Sequence, residues 1–140
     1  MWIGRWSRGL LATFLSIGGV ATAAQAPQLA ALGAVTPGQW QLKDADGATR
    51  SLCVADPRVL LQIEHGAALC SRFVVANDAR SATVHYTCPG AGHGRTTITV
   101  DGGQRFRLQT QGIHDGAPFD TDYEGRRLGN CSAGSGERSR

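Results

Sequence analysis

Apolar and polar residues alternate along most of the chain after residue 36. Trp40 and Leu42 alternate with Gln39, Gln41 and Lys43, the period-two pattern of a half-buried strand. Asp44-Ala45-Asp46-Gly47 ends in Asp-Gly, a hairpin signal, and Thr49 to Val54 reads as the return strand. Phe73 to Ala76 and Ala82 to Cys88 flank the turn-rich Asn77-Asp78-Ala79-Arg80. Thr96, Ile98 and Val100 alternate with Arg95, Thr97 and Thr99. Phe106, Leu108 and Thr110 alternate with Arg105, Arg107 and Gln109, and Phe119, Thr121 and Tyr123 with Asp120, Asp122 and Glu124. Asp101-Gly102-Gly103 and the stretch Gly112 to Gly116 turn the chain between these runs. One segment carries the helical period instead. Asp56 offers an N-cap acceptor, Pro57 suits the first helical position, Val59, Leu60 and Ile63 share a face, and Gly66 stops the run. Short strands separated by glycine turns predict a mainly β protein. The expected architecture is a curved antiparallel meander, a half-open barrel-like sheet, with the helix over residues 57–65 packed on it.

The N-terminus has a different pattern. Arg5 and Arg8 precede an almost uncharged apolar run from Gly9 to Val20, and Ala21-Thr22-Ala23-Ala24 then offers small residues for cleavage. That is the layout of a secretory signal peptide, here residues 1–23. The apolar run is shorter than the roughly 20 residues of a membrane span, so no stable span is expected after cleavage. No cysteine follows the cleavage site to take a lipid anchor. Residues 24–36 are small and uncharged and read as a linker, residues 37–131 as the domain, and residues 132–140 as a disordered tail.

Export changes the charge argument. The formal charge of the 140-residue chain is +3, but removing Arg5 and Arg8 leaves 12 basic against 11 acidic residues. No dense basic cluster remains in the sequence, so nucleic-acid binding is not expected. Export also makes the four cysteines partners in two disulfides. No Cys-x-x-Cys is present, which leaves out redox-active and zinc-ribbon spacings. If the hairpin of residues 73–88 is symmetric about residue 79, Val74 faces Val84, Arg72 faces Tyr86, and Cys70 faces Cys88. Opposed residues place their Cβ atoms about 4.5–5.5 Å apart, within disulfide reach. Cys70–Cys88 is therefore expected, and Cys53–Cys131 by elimination.

The stretch CPGAGHGR, residues 88–95, invites a phosphate-loop reading. Such a loop opens into a helix, whereas Gly94-Arg95 opens into the β-branched TTITV, so a tight turn is expected with His93 at its tip. His65, at the end of the helix, suits the helix dipole as a cation, and His85 lies on a strand face opposite Val84 and Tyr86. His93, His114 and Asp115 lie in loops that can meet at one end of a meander, the one arrangement open to a hydrolase. No Gly-x-Ser-x-Gly elbow supplies a nucleophile. The acidic Asp120, Asp122 and Glu124 are too widely spaced along a strand for one calcium ion, and Arg105 and Arg107 on the preceding strand are their expected partners. No metal and no cofactor is expected.

Pro37-Gly38-Gln39-Trp40, Leu52-Cys53, the short helix, Cys70, Tyr86-Thr87-Cys88 and Gly129-Asn130-Cys131 follow one another in this order. The assembled pattern resembles the small exported proteobacterial proteins grouped as domain of unknown function 3617, over about residues 36–131. The resemblance implies a signal peptide and structural cysteines, and no catalytic residue. The expected protein is thus a non-enzymatic periplasmic module that binds a small apolar ligand or another envelope protein. Trp40, Phe106, Leu108, Phe119 and Tyr123 are the residues expected on a concave ligand-facing surface, with core filling as the competing role.

Overall fold

The structure, a computed structural model, describes residues 28–132. The expected signal peptide, residues 24–27 of the linker and residues 133–140 of the tail lie outside the described residues. Seven strands form one antiparallel sheet: β1 Gly38–Asp44, β2 Thr49–Val54, β3 Ser71–Asn77, β4 Ser81–Cys88, β5 Gly92–Val100, β6 Arg105–His114 and β7 Ala117–Gly129. Their order is β2-β1-β7-β6-β5-β4-β3. A continuous meander therefore runs from β3 to β7, and the β1–β2 hairpin returns to pair with β7. The sheet is curved and open, with β2 and β3 as its edges.

Alternation divides the sheet into two faces. Ile98 opposes both Ala82 and Leu108, Val100 opposes Phe106, and all five are buried on the concave side. Gln41, Lys43, Arg105, Arg107 and Gln109 fall between them and point outward. Two glycines let bulky rings lie flat on the concave side. Gly94 opposes Tyr86 and Gly125 opposes Phe106, and a Cβ on either glycine would collide with the ring across from it. Close approach of this kind is a usual reason for glycine within a strand.

The expected helix boundaries are right, but the helix type is not. Pro57–His65 forms 3₁₀ turns broken at Gln62, where φ is −133° and ψ 37°. Asp56 caps its start by accepting from the Arg58 backbone N–H at 3.0 Å. The tighter period and the break change which residues face inward. Leu60, Leu61, Gln62 and His65 are buried, whereas Val59, expected inside, is 42% exposed. This helix lies in the concavity of the sheet against β4, β5 and β6.

The linker expectation needs a larger correction. Ala30–Gly33 forms a helical turn, α1, and Ala31, Leu32 and Val35 join the buried core. The uncharged composition of this stretch, read as linker, is that of a core segment, and the domain begins before residue 37. The turn at residues 88–95 is also shorter than expected. Only Pro89–Ala91 connect β4 to β5, closed by the Ala91 N–H to the Cys88 carbonyl at 2.9 Å, and Gly92–Arg95 are already strand.

Both expected disulfides are present. β3 and β4 pair Val74 with Val84 and Arg72 with Tyr86 as predicted, and Cys70 and Cys88 join just beyond, with Cα atoms 4.1 Å apart. A bulge at Val75 shifts the rest of that hairpin by one residue. Cys53–Cys131 ties β2 to the end of β7, with Cα atoms 5.5 Å apart.

Candidate functional site

The residues expected on a ligand-facing concave surface separate into two groups. Trp40 and Leu108 are 0% and Phe106 3% exposed, and the Trp40 and Phe106 rings pack 4.8 Å apart. These three fill the core, because the 3₁₀ helix and α1 occupy the space an open concave sheet would leave. Phe119 and Tyr123 remain half-buried near the rim. The Phe119 ring packs edge-on against His65 at 5.8 Å. Tyr123 donates its hydroxyl to Glu64 Oε1 at 2.8 Å, tethering the helix to β7, while the Arg50 guanidinium lies over its ring at 5.1 Å.

The three residues expected in loops and open to a hydrolase are not brought together: His93 lies in β5, His114 ends β6, and only Asp115 and Gly116 turn the chain there. His93 opposes Ile113 and His114 opposes Gly92, so the two histidines project from opposite faces of the sheet. His114 does approach its neighbour, with Nε2 3.4 Å from Asp115 Oδ2. The histidine that assembles a buried polar group is His65. Its Nε2 meets the Ile113 carbonyl at 3.1 Å, and its Nδ1 the Tyr86 hydroxyl at 3.0 Å. A carbonyl only accepts, so in the neutral ring Nε2 donates and Nδ1 accepts from Tyr86. Buried Thr96 and Thr110 share a 2.9 Å hydrogen bond. The sequence reading made His65 a helix-end cation. Its core role shows only once Tyr86 and Ile113 are placed beside it.

Both tyrosines are held neutral. Burial, then the Glu64 hydrogen bond, pushes Tyr123 up to about 12, and burial pushes Tyr86 above its ordinary value. A raised phenol stabilises the fold fully below the unfolded value of about 10, and that contribution is lost as pH rises through the folded value. In a spectrophotometric titration, little of the tyrosinate absorbance should appear by pH 10, and stability should fall between about pH 10 and 12. The guanidinium-unfolded chain should titrate near 10. Half-ionisation of the native tyrosines at pH 10 would contradict their burial.

On the outer face, the expected ion pairing forms only in part. Arg107 Nη2 donates to Glu124 Oε1 at 3.1 Å. Asp120 instead opposes Gln111, Asp122 opposes Gln109, and Arg105 opposes Arg126. The register is set by the turn before β7, which the alternation alone did not specify.

An apolar groove lies between α1, the start of the 3₁₀ helix and β3–β4. Its volume is about 620 Å³, and its apolar walls are Leu29, Leu32, Leu61, Val74 and Val84. Arg58 and Arg72 stand at its rim. Arg72 donates to Gln62 Oε1 at 2.6 Å, and Gln62 donates back to the Gly66 and Ala68 carbonyls at 2.9 and 2.8 Å. The Asp56 carboxyl is held below its usual range by hydrogen bonds from Arg58. Alternation gives no sign of this groove, because one wall comes from Leu29 and Leu32, in the stretch expected to be linker. The spacing of Leu29, Leu32 and Val35 was the available signal.

The fold defines a disulfide-stapled antiparallel half-barrel plugged by a 3₁₀ helix, with its apolar groove beside the plug. No protein-family model, curated protein or solved structure matches the chain.

Proposed function

We propose that the protein is a non-enzymatic module of the cell envelope, exported to the periplasm, that binds a small apolar ligand in the groove between α1, the 3₁₀ helix and β3–β4. The apolar groove carries this reading: its 620 Å³ lies within the roughly 300–1,000 Å³ of small-molecule sites. Leu29 and Val74 leave part of its wall accessible. The Cys70–Cys88 bridge holds β3 against β4 beside it, so the wall is preformed. Two disulfides belong to an oxidising compartment, and the N-terminal pattern of Arg5, Arg8 and the apolar run supplies the route there. The motif order, which resembles that of the domain of unknown function 3617 proteins, is in keeping with an exported role.

The test is binding of the neutral fluorophore 1-N-phenylnaphthylamine to protein purified from periplasm, alongside native mass spectrometry of the same sample. Saturable fluorescence is expected, weakened at least tenfold by Val74→Lys, which places a charge on the wall. Leu29→Lys should act in the same way from the opposite wall, should Val74→Lys fail to fold. Unchanged affinity in a folded variant, or no binding together with a clean unliganded mass, would overturn the reading.

A further inference from the structure

The outer face of β1, β7 and β6 carries an arrangement that neither folding nor the groove requires. Two rows of residues run side by side across it. In one, Gln41 opposes Arg126, which opposes Arg105. In the next, Lys43 opposes Glu124, which opposes Arg107, and Arg107 opposes Thr99. Opposed side chains stand about 4.5–5.5 Å apart at Cβ, and like charges directly opposite are destabilising. Arg105 and Arg126 are such a pair.

Two of the nearby carboxylates are already engaged, while Asp122, opposite Gln109, makes no ion pair among the described residues. Glu124 accepts from Arg107 at 3.1 Å, and Asp101 accepts from Arg80 at 3.4 Å. Arg126 reaches only the neutral Gln41, at 3.4 Å. Among the described residues, Lys43, Arg105 and Arg126 make no ion pair. These cations line a shallow depression of about 690 Å³, together with Arg107, Gln41, Gln109 and Thr99 and the carboxylates of Asp101 and Glu124. A face needing only solubility would interleave its charges, as the row of Asp120, Gln111 and Arg95 does.

Charge and shape together specify the occupant. Guanidinium forks match the oxygens of a phosphate group, and two opposed forks supply more donors than one anionic oxygen can use. Amide and hydroxyl groups around them suit a body rich in hydroxyls. Among the described residues, none of the large exposed apolar side chains, Val59, Leu69, Phe73, Val75 or Leu128, lines the depression, so its charges favour a polar ligand over a lipid bilayer. We infer that Arg105 and Arg126, with Lys43 and Arg107 beside them, form a second binding site on the outer sheet face for a phosphate group carried on a sugar. This site is separate from the apolar groove and stands or falls without it.

Calorimetric titration of the periplasmic protein at low salt with glucose 6-phosphate, inorganic phosphate, glucose and phosphatidylglycerol vesicles tests the inference. Glucose 6-phosphate should bind at least tenfold more tightly than inorganic phosphate, with no heat from glucose or vesicles. Its affinity should fall as salt is raised, because exposed charges are screened. Arg126→Gln should weaken it at least tenfold and, in phosphate-free buffer, raise the Tm by about 2 °C through relief of the like-charge contact. Arg105→Gln repeats the test from the opposing strand if Arg126→Gln does not fold. A purely structural arginine pair would give the opposite sign, a lower Tm. That result with unchanged glucose 6-phosphate binding overturns the site. Equal binding of inorganic phosphate overturns the sugar, and vesicle capture sensitive to Arg126→Gln replaces the sugar phosphate with a lipid surface.

Discussion

Trp40→Ala should cost about 3–5 kcal/mol of unfolding free energy, the range for deleting a buried large aromatic side chain. The indole is fully buried at the junction of β1 and β7, packed on Phe106 at 4.8 Å. Its Nε1 donates to the Thr36 carbonyl at 3.0 Å, which fastens the segment leading from α1 into β1. Alanine therefore opens a cavity between the hairpin and the meander and frees one end of the α1 connection. With total stabilities of about 5–15 kcal/mol for domains of this kind, a loss of that size brings the fold close to unfolding at room temperature. Guanidinium denaturation followed by far-ultraviolet circular dichroism measures it. A loss below about 1 kcal/mol would show that the site collapses around the deleted ring without leaving a cavity. The same variant bears on the ligand. If Trp40 is core, the fraction that stays folded should bind 1-N-phenylnaphthylamine in the groove as before.

The second large effect is expected from the longer disulfide. Cys53 and Cys131 are 78 residues apart and Cys70 and Cys88 only 18. In the chain-entropy model, closing the longer loop contributes about 4.5 kcal/mol and the shorter about 3 kcal/mol. The Cys53→Ser/Cys131→Ser variant should therefore lose more stability than Cys70→Ser/Cys88→Ser. The placement points the same way. Cys53 lies on edge strand β2, whose only sheet partner among the described residues is β1, and the bridge to Cys131 ties it covalently to the end of β7. Cys70–Cys88 reinforces a hairpin that backbone pairing already holds from Ser71 to Asn77. Urea midpoints of the two double variants, with m-values checked for equality, make the comparison. Equal losses, or a larger loss from the short loop, would show that strain or residual unfolded-state structure outweighs loop entropy here.

Strand identity was legible in the sequence because a period of two leaves one residue type on each face. Every run of alternation, from Trp40 and Leu42 to Phe119 and Tyr123, became a strand. The hairpin between Phe73 and Cys88 was legible as far as its register at Val74 and Val84, and that register placed one disulfide and left the other. The helix was legible by its boundaries, Asp56-Pro57 and Gly66, because caps are local chemistry. Its type was not, because the 3₁₀ turns and the break at Gln62 answer to the space inside a curved sheet. Gln62 itself bonds to Gly66, Ala68 and Arg72, contacts that exist only once the loop after the helix has folded back.

The candidate sites were less legible than the fold. Alternation said that Trp40, Phe106 and Leu108 share a face, and they do. Whether that face meets a ligand or a plug depends on where a distant helix lands. The groove needs Leu29, Leu61 and Val74 to converge from three elements far apart in the chain. The opposed Arg105 and Arg126 need the β6–β7 register, which a one-residue slip would exchange for a different set of partners.

The sequence by itself determined the strands, the cap of the helix and the pairing of four cysteines, because each rests on near neighbours, on simple alternation or, for the second bridge, on elimination. Only the tertiary structure decided that the concave face is filled, that His65 lies inside against Tyr86, and that two arginines face each other on the outer surface. Those outcomes depend on register and on packing between segments distant in sequence, and side chains read one strand at a time carry no record of either.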